Sequence, residues 1–198
     1  RLPYANDRMS TTVNLFYSGA SSWGYSFSYS NDMNGDGYST DLIYIPSEKG
    51  DIKFVSTADE DAFFTFMEQD KYLSANKGKY AEAYSARAPW LNNFDLRVTQ
   101  DFKVKAGKTM NTLQFSVDFL NFGNLLNSEW GISTNMASAN NGRILKYEGK
   151  DATNVPSFSF VKIKDSEGTM VYPTQTYSTF FSYNSTWKLQ VGLKYIFN

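Results

Sequence analysis

Apolar and polar residues alternate along five stretches of this chain, and the pattern is cleanest near its end. Trp187, Leu189, Val191, Leu193, Tyr195 and Phe197 take the odd positions there, while Lys188, Gln190, Gly192 and Lys194 take the even ones and Ile196 interrupts. A period of two places successive side chains on opposite faces of an extended strand, so 185–197 is predicted to be a β-strand with one oily and one polar face. The same reading holds over 93–105, where Phe94, Leu96, Val98, Phe102 and Val104 oppose Asp95, Arg97, Thr99, Asp101, Lys103 and Lys105, with Gln100 an exception on the apolar side. After a short turn at Ala106–Met110, Leu113, Phe115, Val117 and Phe119 oppose Gln114, Ser116 and Asp118 in a strand over 111–121. Near the start, Thr11, Val13, Leu15 and Tyr17 mark a strand over 11–17. A turn at Ser18–Ser22 leads to a second strand over 22–30, with Trp23, Tyr25, Phe27 and Tyr29 against Gly24, Ser26, Ser28 and Ser30. These two are expected to form a hairpin.

Two long tracts, 31–92 and 122–184, interrupt the strands. The first opens on the turn-forming run Asn31–Gly37. Leu42–Ile45 and Ile52–Val55 follow as a candidate short hairpin. Thr57-Ala58-Asp59-Glu60 reads as a helix capping box; Phe63, Phe66, Met67 and Leu73 then recur at helical spacing, and Asn76-Lys77-Gly78 closes the helix. In the second tract Ile144–Tyr147, Phe158–Ile163 and Tyr177–Phe181 have strand character. Residues 1–9 read as a connection, and all five prolines fall outside the five long strands, where a missing N–H costs no ladder bond.

Connections thus alternate between about five residues and roughly sixty, the asymmetry of an outer-membrane barrel with short periplasmic turns and long outer loops. Compact soluble domains rarely carry two structureless loops of that size. Composition points the same way: 14 Tyr and 16 Phe put aromatics at 17% of the 198 residues. The absence of Cys and His removes disulfides, the usual zinc sites and every dyad or triad needing imidazole or thiolate. Nineteen basic against 20 acidic residues, a net charge of −1, argues against a nucleic-acid partner. No apolar run approaches the ~18 residues of a membrane-spanning helix. The expected fold is therefore all-β: an antiparallel transmembrane β-barrel segment with two long extracellular loops, one carrying a short helix. Five strands fall short of the about eight that close a barrel, so the segment is expected to belong to the C-terminal end of a larger one. The start at Arg1-Leu2-Pro3 is read as the mark of a removed signal or of a piece of a longer polypeptide.

Several motifs add a resemblance. Asn34-Gly35-Asp36-Gly37 leading to Asp41-Leu42-Ile43-Tyr44-Ile45-Pro46, Asp70-Lys71-Tyr72-Leu73-Ser74 continuing through Lys77-Gly78-Lys79 to Ala86-Arg87-Ala88-Pro89-Trp90, Phe94-Asp95-Leu96-Arg97-Val98 and Phe119–Asn127 occur in this order. Together they resemble Oar-like, SusC-related TonB-dependent receptors. The resemblance implies the last five strands of a 22-stranded barrel whose plug and energy-coupling segment lie outside this chain. It also implies a bilayer, the rest of the barrel with its N-terminal plug, an inner-membrane energy-coupling protein and a surface lipoprotein as partners. Tyr195 and Phe197 would be the barrel-assembly signal, although the family's signal usually ends on the aromatic and here Asn198 follows.

Three groups of residues are candidates for chemistry. Asp32, Asn34 and Asp36, with Gly37 for the sharp turn, match the first half of a calcium loop, and Asp41 could supply a further carboxylate. Position twelve is Ile43 rather than Glu, and Asp and Asn beside Gly are equally good turn formers. Asp95, Arg97, Asp101, Lys103, Asp118, Lys188 and Lys194 face the inferred lumen, where they would pair across strands or with a plug, or guide a polar solute. Asp59, Glu60 and Asp61 could be imagined as paired catalytic carboxylates, but a capping box explains them better. Trp23, Tyr25, Trp90, Trp130, Trp187 and Tyr195 are candidates for the interfacial aromatic girdle. The function expected is energised uptake of a nutrient such as an oligosaccharide, peptide or metal chelate, with no catalysis and no cofactor except calcium. The alternatives are a small self-contained or adhesin-like barrel, and a secreted β-sandwich with sugar-binding loops.

Overall fold

The computed structural model describes residues 1–21 and 24–197, with side chains omitted at 137 and 138. The elements used below, in chain order, are β1 (Leu2–Tyr4), β2 (Met9–Ala20), β3 (Ser28–Tyr29), β4 (Lys53–Phe54), α1 (Thr57–Gln69), α2 (Lys71–Ala75), β5 (Leu91–Ala106), β6 (Thr109–Leu120), β7 (Arg143–Lys150), β8 (Pro156–Phe160) and β9 (Lys188–Phe197). They divide between two compact units, one of residues 1–20, 90–133 and 180–198, the other of 21–89 and 134–179.

The first unit is a five-stranded antiparallel sheet in the order β1-β2-β5-β6-β9. Its register keeps like with like across the ladder. Val13 pairs with Val98, Val98 with Val117 and Val117 with Val191 on one face; Asn14 pairs with Arg97, Arg97 with Asp118 and Asp118 with Gln190 on the other. A slip of one residue would invert every side chain, so the two-residue period excludes odd shifts of this register. The short turns at 5–8 and 107–108 and the end of β9 share one end of the sheet. Both long connections leave from the other.

The fifth strand of this sheet is not the expected one. The predicted hairpin of 11–17 with 22–30 does not form: β2 pairs directly with β5, and β1, from the stretch read as a connection, completes the sheet. Among the described residues of 22–30, Gly24–Tyr25 pairs with Ala86–Arg87, while β3 joins the second unit. The reason is burial. Phe27 is wholly enclosed and Tyr29 nearly so, in a core whose surface also takes Tyr25, so this alternation serves packing rather than a membrane face.

The two long tracts also differ from structureless loops, because they fold together into the second unit. Its four-stranded sheet has the order β3-β7-β8-β4, with β7 and β8 antiparallel and the outer strands parallel to their neighbours. The candidate hairpin of 42–45 with 52–55 is absent: Tyr44–Ile45 pairs with Lys79–Tyr80 and β4 pairs with β8. Helix α1 buries Phe63, Phe66 and Met67 against this sheet, with the Phe63 and Phe66 rings 5.5 and 5.4 Å from Phe160. The helix starts one residue earlier than the capping box predicts. Ser56, extended at φ −147°, accepts from the Asp59 N–H, and Thr57 is already helical. Asp70 ends α1 and caps α2, so the single predicted helix is two.

Candidate functional site

The sheet of the first unit carries two unlike faces. On the apolar face Leu189, Val191 and Leu193 are 51%, 56% and 69% exposed, and Val13, Leu15, Leu113 and Phe115 are exposed as well. A soluble sheet buries its oily face, at about 25 cal/mol for each Å² removed from water; here that face is left uncovered across four strands. Exposed aromatics collect at its two ends. Tyr195 and Phe197 stand at the short-turn end; Tyr17, Trp90, Trp130 and Trp187 stand at the other. Of the remaining girdle candidates, Tyr25 packs against the core of the second unit and Trp23 lies outside the described residues. Gln100, the exception on this face, is satisfied by two hydroxyls near the short-turn end: Tyr4 Oη and Thr11 Oγ1 donate to its Oε1 at 2.9 and 2.6 Å.

The register places all seven predicted lumen residues on the opposite face. Two of them form a bidentate pair, Arg97 Nε and Nη2 donating to the carboxylate of Asp118 at 2.5 and 2.7 Å. Asp118 is buried and Arg97 is not, so the guanidinium keeps donors free toward the open side. Asp101 accepts from Gln114 Nε2 at 2.8 Å and Ser10 Oγ at 3.1 Å, and Asp95 accepts from the Asn121 N–H at 2.7 Å. Lys188 donates to Asn184 Oδ1 and sits 3.5 Å from the centre of the Tyr183 ring. The side chains of Lys103 and Lys194 make no hydrogen bond or ion pair among the described residues. A depression of about 490 Å³ lies over the ion pair, lined by Asn14, Phe16, Asp95, Arg97, Asp118 and Gln190. It offers hydrogen-bonding groups of both signs.

The Asp32–Asp41 loop is closed by its own amides. Asp32 accepts from Gly35 and Gly37 N–H at 2.7 Å each, Asn34 Oδ1 from Asp36 N–H, and Asp41 Oδ2 from Met33 N–H at 2.8 Å. These bonds, led by the one from Gly37, hold the Asp32 carboxyl below the usual carboxylate range. The Asn34 amide nitrogen stands between Asp36 and Asp41, at 3.1 and 2.8 Å, where a cation would need oxygen. Turning that amide over would set its NH₂ against the Asp36 N–H. The donors in this arrangement therefore do not fit calcium. Among the described residues no group of three or more acidic side chains is placed to hold a metal. The Asp59–Asp61 run is likewise committed: Asp59 accepts from the Phe160 N–H at 3.0 Å, Glu60 from Gly50 N–H at 2.8 Å, and Asp61 pairs with Lys49.

Sequence reasoning missed a cleft in the second unit where α1 meets α2. Asp70 is buried at its floor; Oδ1 accepts from the Tyr72 and Leu73 N–H groups at 2.9 Å, and Oδ2 from Thr176 Oγ1 at 2.6 Å. Asp70 is 106 residues from Thr176 in the chain, so the only local sign was an acidic residue between two helical runs. No helix among the described residues is long and apolar enough to cross a membrane, which bears on helices alone. Comparison of the chain with protein-family models, curated proteins and solved structures finds no match.

Proposed function

We propose that this chain forms wall and outer loops of an outer-membrane TonB-dependent receptor that takes up a nutrient by energised transport. The single observation that carries the reading is the uncovered apolar face across four paired strands, backed by a face of ion pairs and amides. In a barrel the first face meets acyl chains and the second meets a water-filled or plugged lumen. Strand β9 pairs with β6 over ten residues, matching the 9–11 or so that a tilted strand needs to span a bilayer. Both sheet edges offer unpaired backbone groups, β9 on one side and most of β2 on the other. In hydrocarbon such edges must be paired, so further strands of the same barrel would flank them.

On this reading the two long tracts are extracellular and the short turns are periplasmic. The missing plug would meet the polar face, and contact with an inner-membrane energy-coupling protein would run through that plug. No residue here is assigned a catalytic role.

The test uses the full-length protein in native outer membranes. This chain has no Cys, so once any Cys elsewhere in the protein is replaced, single Cys residues can carry spin labels at 190 through 194 in turn. Labels at 191 and 193 are expected to be accessible to oxygen dissolved in lipid, and those at 190 and 194 to a water-soluble nickel reagent. Labels at 191 and 193 shielded from both reagents would place this face inside protein and end the membrane assignment.

A further inference from the structure

At the end of the first unit's sheet from which the long connections leave, a depression of about 570 Å³ opens beside the apolar face. Tyr17, Trp90, Asn92, Phe94, Glu129 and Trp130 line it. Its volume lies inside the roughly 300–1,000 Å³ usual for small-molecule pockets. Tyr17–Phe94 and Leu15–Leu96 are successive pairs on one face of β2 and β5, so the pocket runs on into the oily surface.

The loop that supplies Glu129 and Trp130 is held by three asparagines. Asn124 Nδ2 donates to the carbonyls of Ser128 and Trp130 at 3.0 and 2.9 Å, and Asn127 Oδ1 accepts from the Glu129 N–H at 2.9 Å. The buried Asn121 donates to the Gly131 carbonyl at 3.2 Å. Gly131 has no substitute beside it: φ is +67°, and a Cβ would stand 1.9 Å from Asn121 Oδ1. A Cβ at Gly123 would stand 3.6 Å from Phe94 and 3.7 Å from Trp130, so both rings lie over that glycine. A site fixed in this way loses little freedom when it binds.

The lining selects by charge. Tyr17 and Phe94 close on each other, 5.0 Å between ring centres, and the Tyr17 hydroxyl donates to Asn92 Oδ1 at 2.8 Å; this pair is wall. Trp90 and Trp130, 66% and 52% exposed, are the rings left open to a ligand. Glu129 is the single charged residue of the lining, and no Lys or Arg accompanies it. Indole faces attract cations through the ring quadrupole, and a carboxylate adds a full opposite charge. A phosphate or carboxylate in the same place would meet Glu129 as a like charge.

We propose that this pocket seats the ammonium headgroup of a membrane aminolipid beside Trp90, Trp130 and Glu129, with the acyl chains along Leu15 and Leu96. The inference rests on the membrane reading for the lipid, and on the lining for the amine.

The probe is dioleoylphosphatidylethanolamine, added to the full-length protein in detergent micelles and followed by native mass spectrometry. Its N-acetyl derivative keeps the chains and the phosphate and loses the ammonium. Kd is expected to be about tenfold or more higher for the N-acetyl lipid. Glu129→Gln and Trp90→Leu should each weaken the amine lipid about fivefold without weakening the N-acetyl one. Both side chains are exposed, so unchanged thermal melting should accompany these losses.

Equal affinity for the two lipids, wild-type affinity in both variants, or tighter binding of dioleoylphosphatidylglycerol would each overturn the proposal. Ethanolamine competing as tightly as the whole lipid would overturn the lipid source, since the chains would then contribute nothing. Displacement of the lipid by millimolar maltotriose would show a sugar site instead. The membrane reading fails separately: lipid-exposed labels at 191 and 193 without amine selectivity sink only this pocket, and shielded labels end the lipid source whatever amine the pocket binds.

Discussion

At the scale of single residues, backbone conformation and hydrogen bonding decide most outcomes. Gly142 sits at φ +89°, and a Cβ there would stand 2.2 Å from the Ser26 carbonyl oxygen. Gly149, at φ +97°, faces open space. Gly149→Ala should therefore cost only the left-handed strain, about 1–3 kcal/mol, and Gly142→Ala clearly more, because a carbonyl cannot swing aside; chemical denaturation of the two variants checks the order. Asp32 supplies a pH dependence. Its folded pKa is depressed by the Gly37, Gly35 and Asp36 amides, so its contribution is present above the unfolded carboxylate value and lost as pH falls through the folded one. Protection of the Gly35 and Gly37 amides against hydrogen exchange, relative to intrinsic rates, should fall in that acid range and in Asp32→Asn at neutral pH. Calcium at millimolar concentration should leave the melting temperature unmoved; a clear rise would show that the loop can rearrange to present oxygens. For the bidentate pair, Asp118→Asn should cost less in an Arg97→Met background than alone, since the partner is already gone.

Elements obey the two-residue period only where one partner surface faces each side of the strand. Strand β9 meets that condition, and its odd and even positions are not interchangeable. On the membrane reading Val191→Arg should cost about 2–4 kcal/mol if Val191 lies near the bilayer midplane. Gln190→Arg on the polar face should be nearly neutral, and recovery of heat-modifiable folded protein reads both. A soluble sheet with a wetted apolar face would tolerate the two substitutions equally. Residues 24–30 show the limit of the pattern. Tyr25, Phe27 and Tyr29 alternate as cleanly as β9, yet alternation reports only that one side differs from the other. It does not say whether the oily side meets lipid or packed protein, and here Phe27 and Tyr29 are enclosed by residues from both long tracts.

For the whole molecule, the second unit has its own core, in which Phe160 contacts α1 and stacks on Tyr172 at 5.7 Å. Phe160→Ala should destabilise that unit by about 3–5 kcal/mol. Amides in β7 and β8 should lose exchange protection while those in β6 and β9 keep theirs; loss in all four would mean that the two units unfold as one. The sequence by itself determined strands near 93–105, 111–121 and 185–197, the polar face that gathers their seven charged residues, and a helix beginning near residue 57. Each of these rests on interactions between near neighbours or on a two-residue period within a single strand. Only the tertiary structure decided that β1 completes the sheet and that 24–30 packs in a core. The same is true of the co-folding of the two long tracts and of the Asp70 cleft. Those features depend on contacts between residues up to 116 positions apart, such as Asn31 with Tyr147, and such contacts leave no periodic trace in the chain.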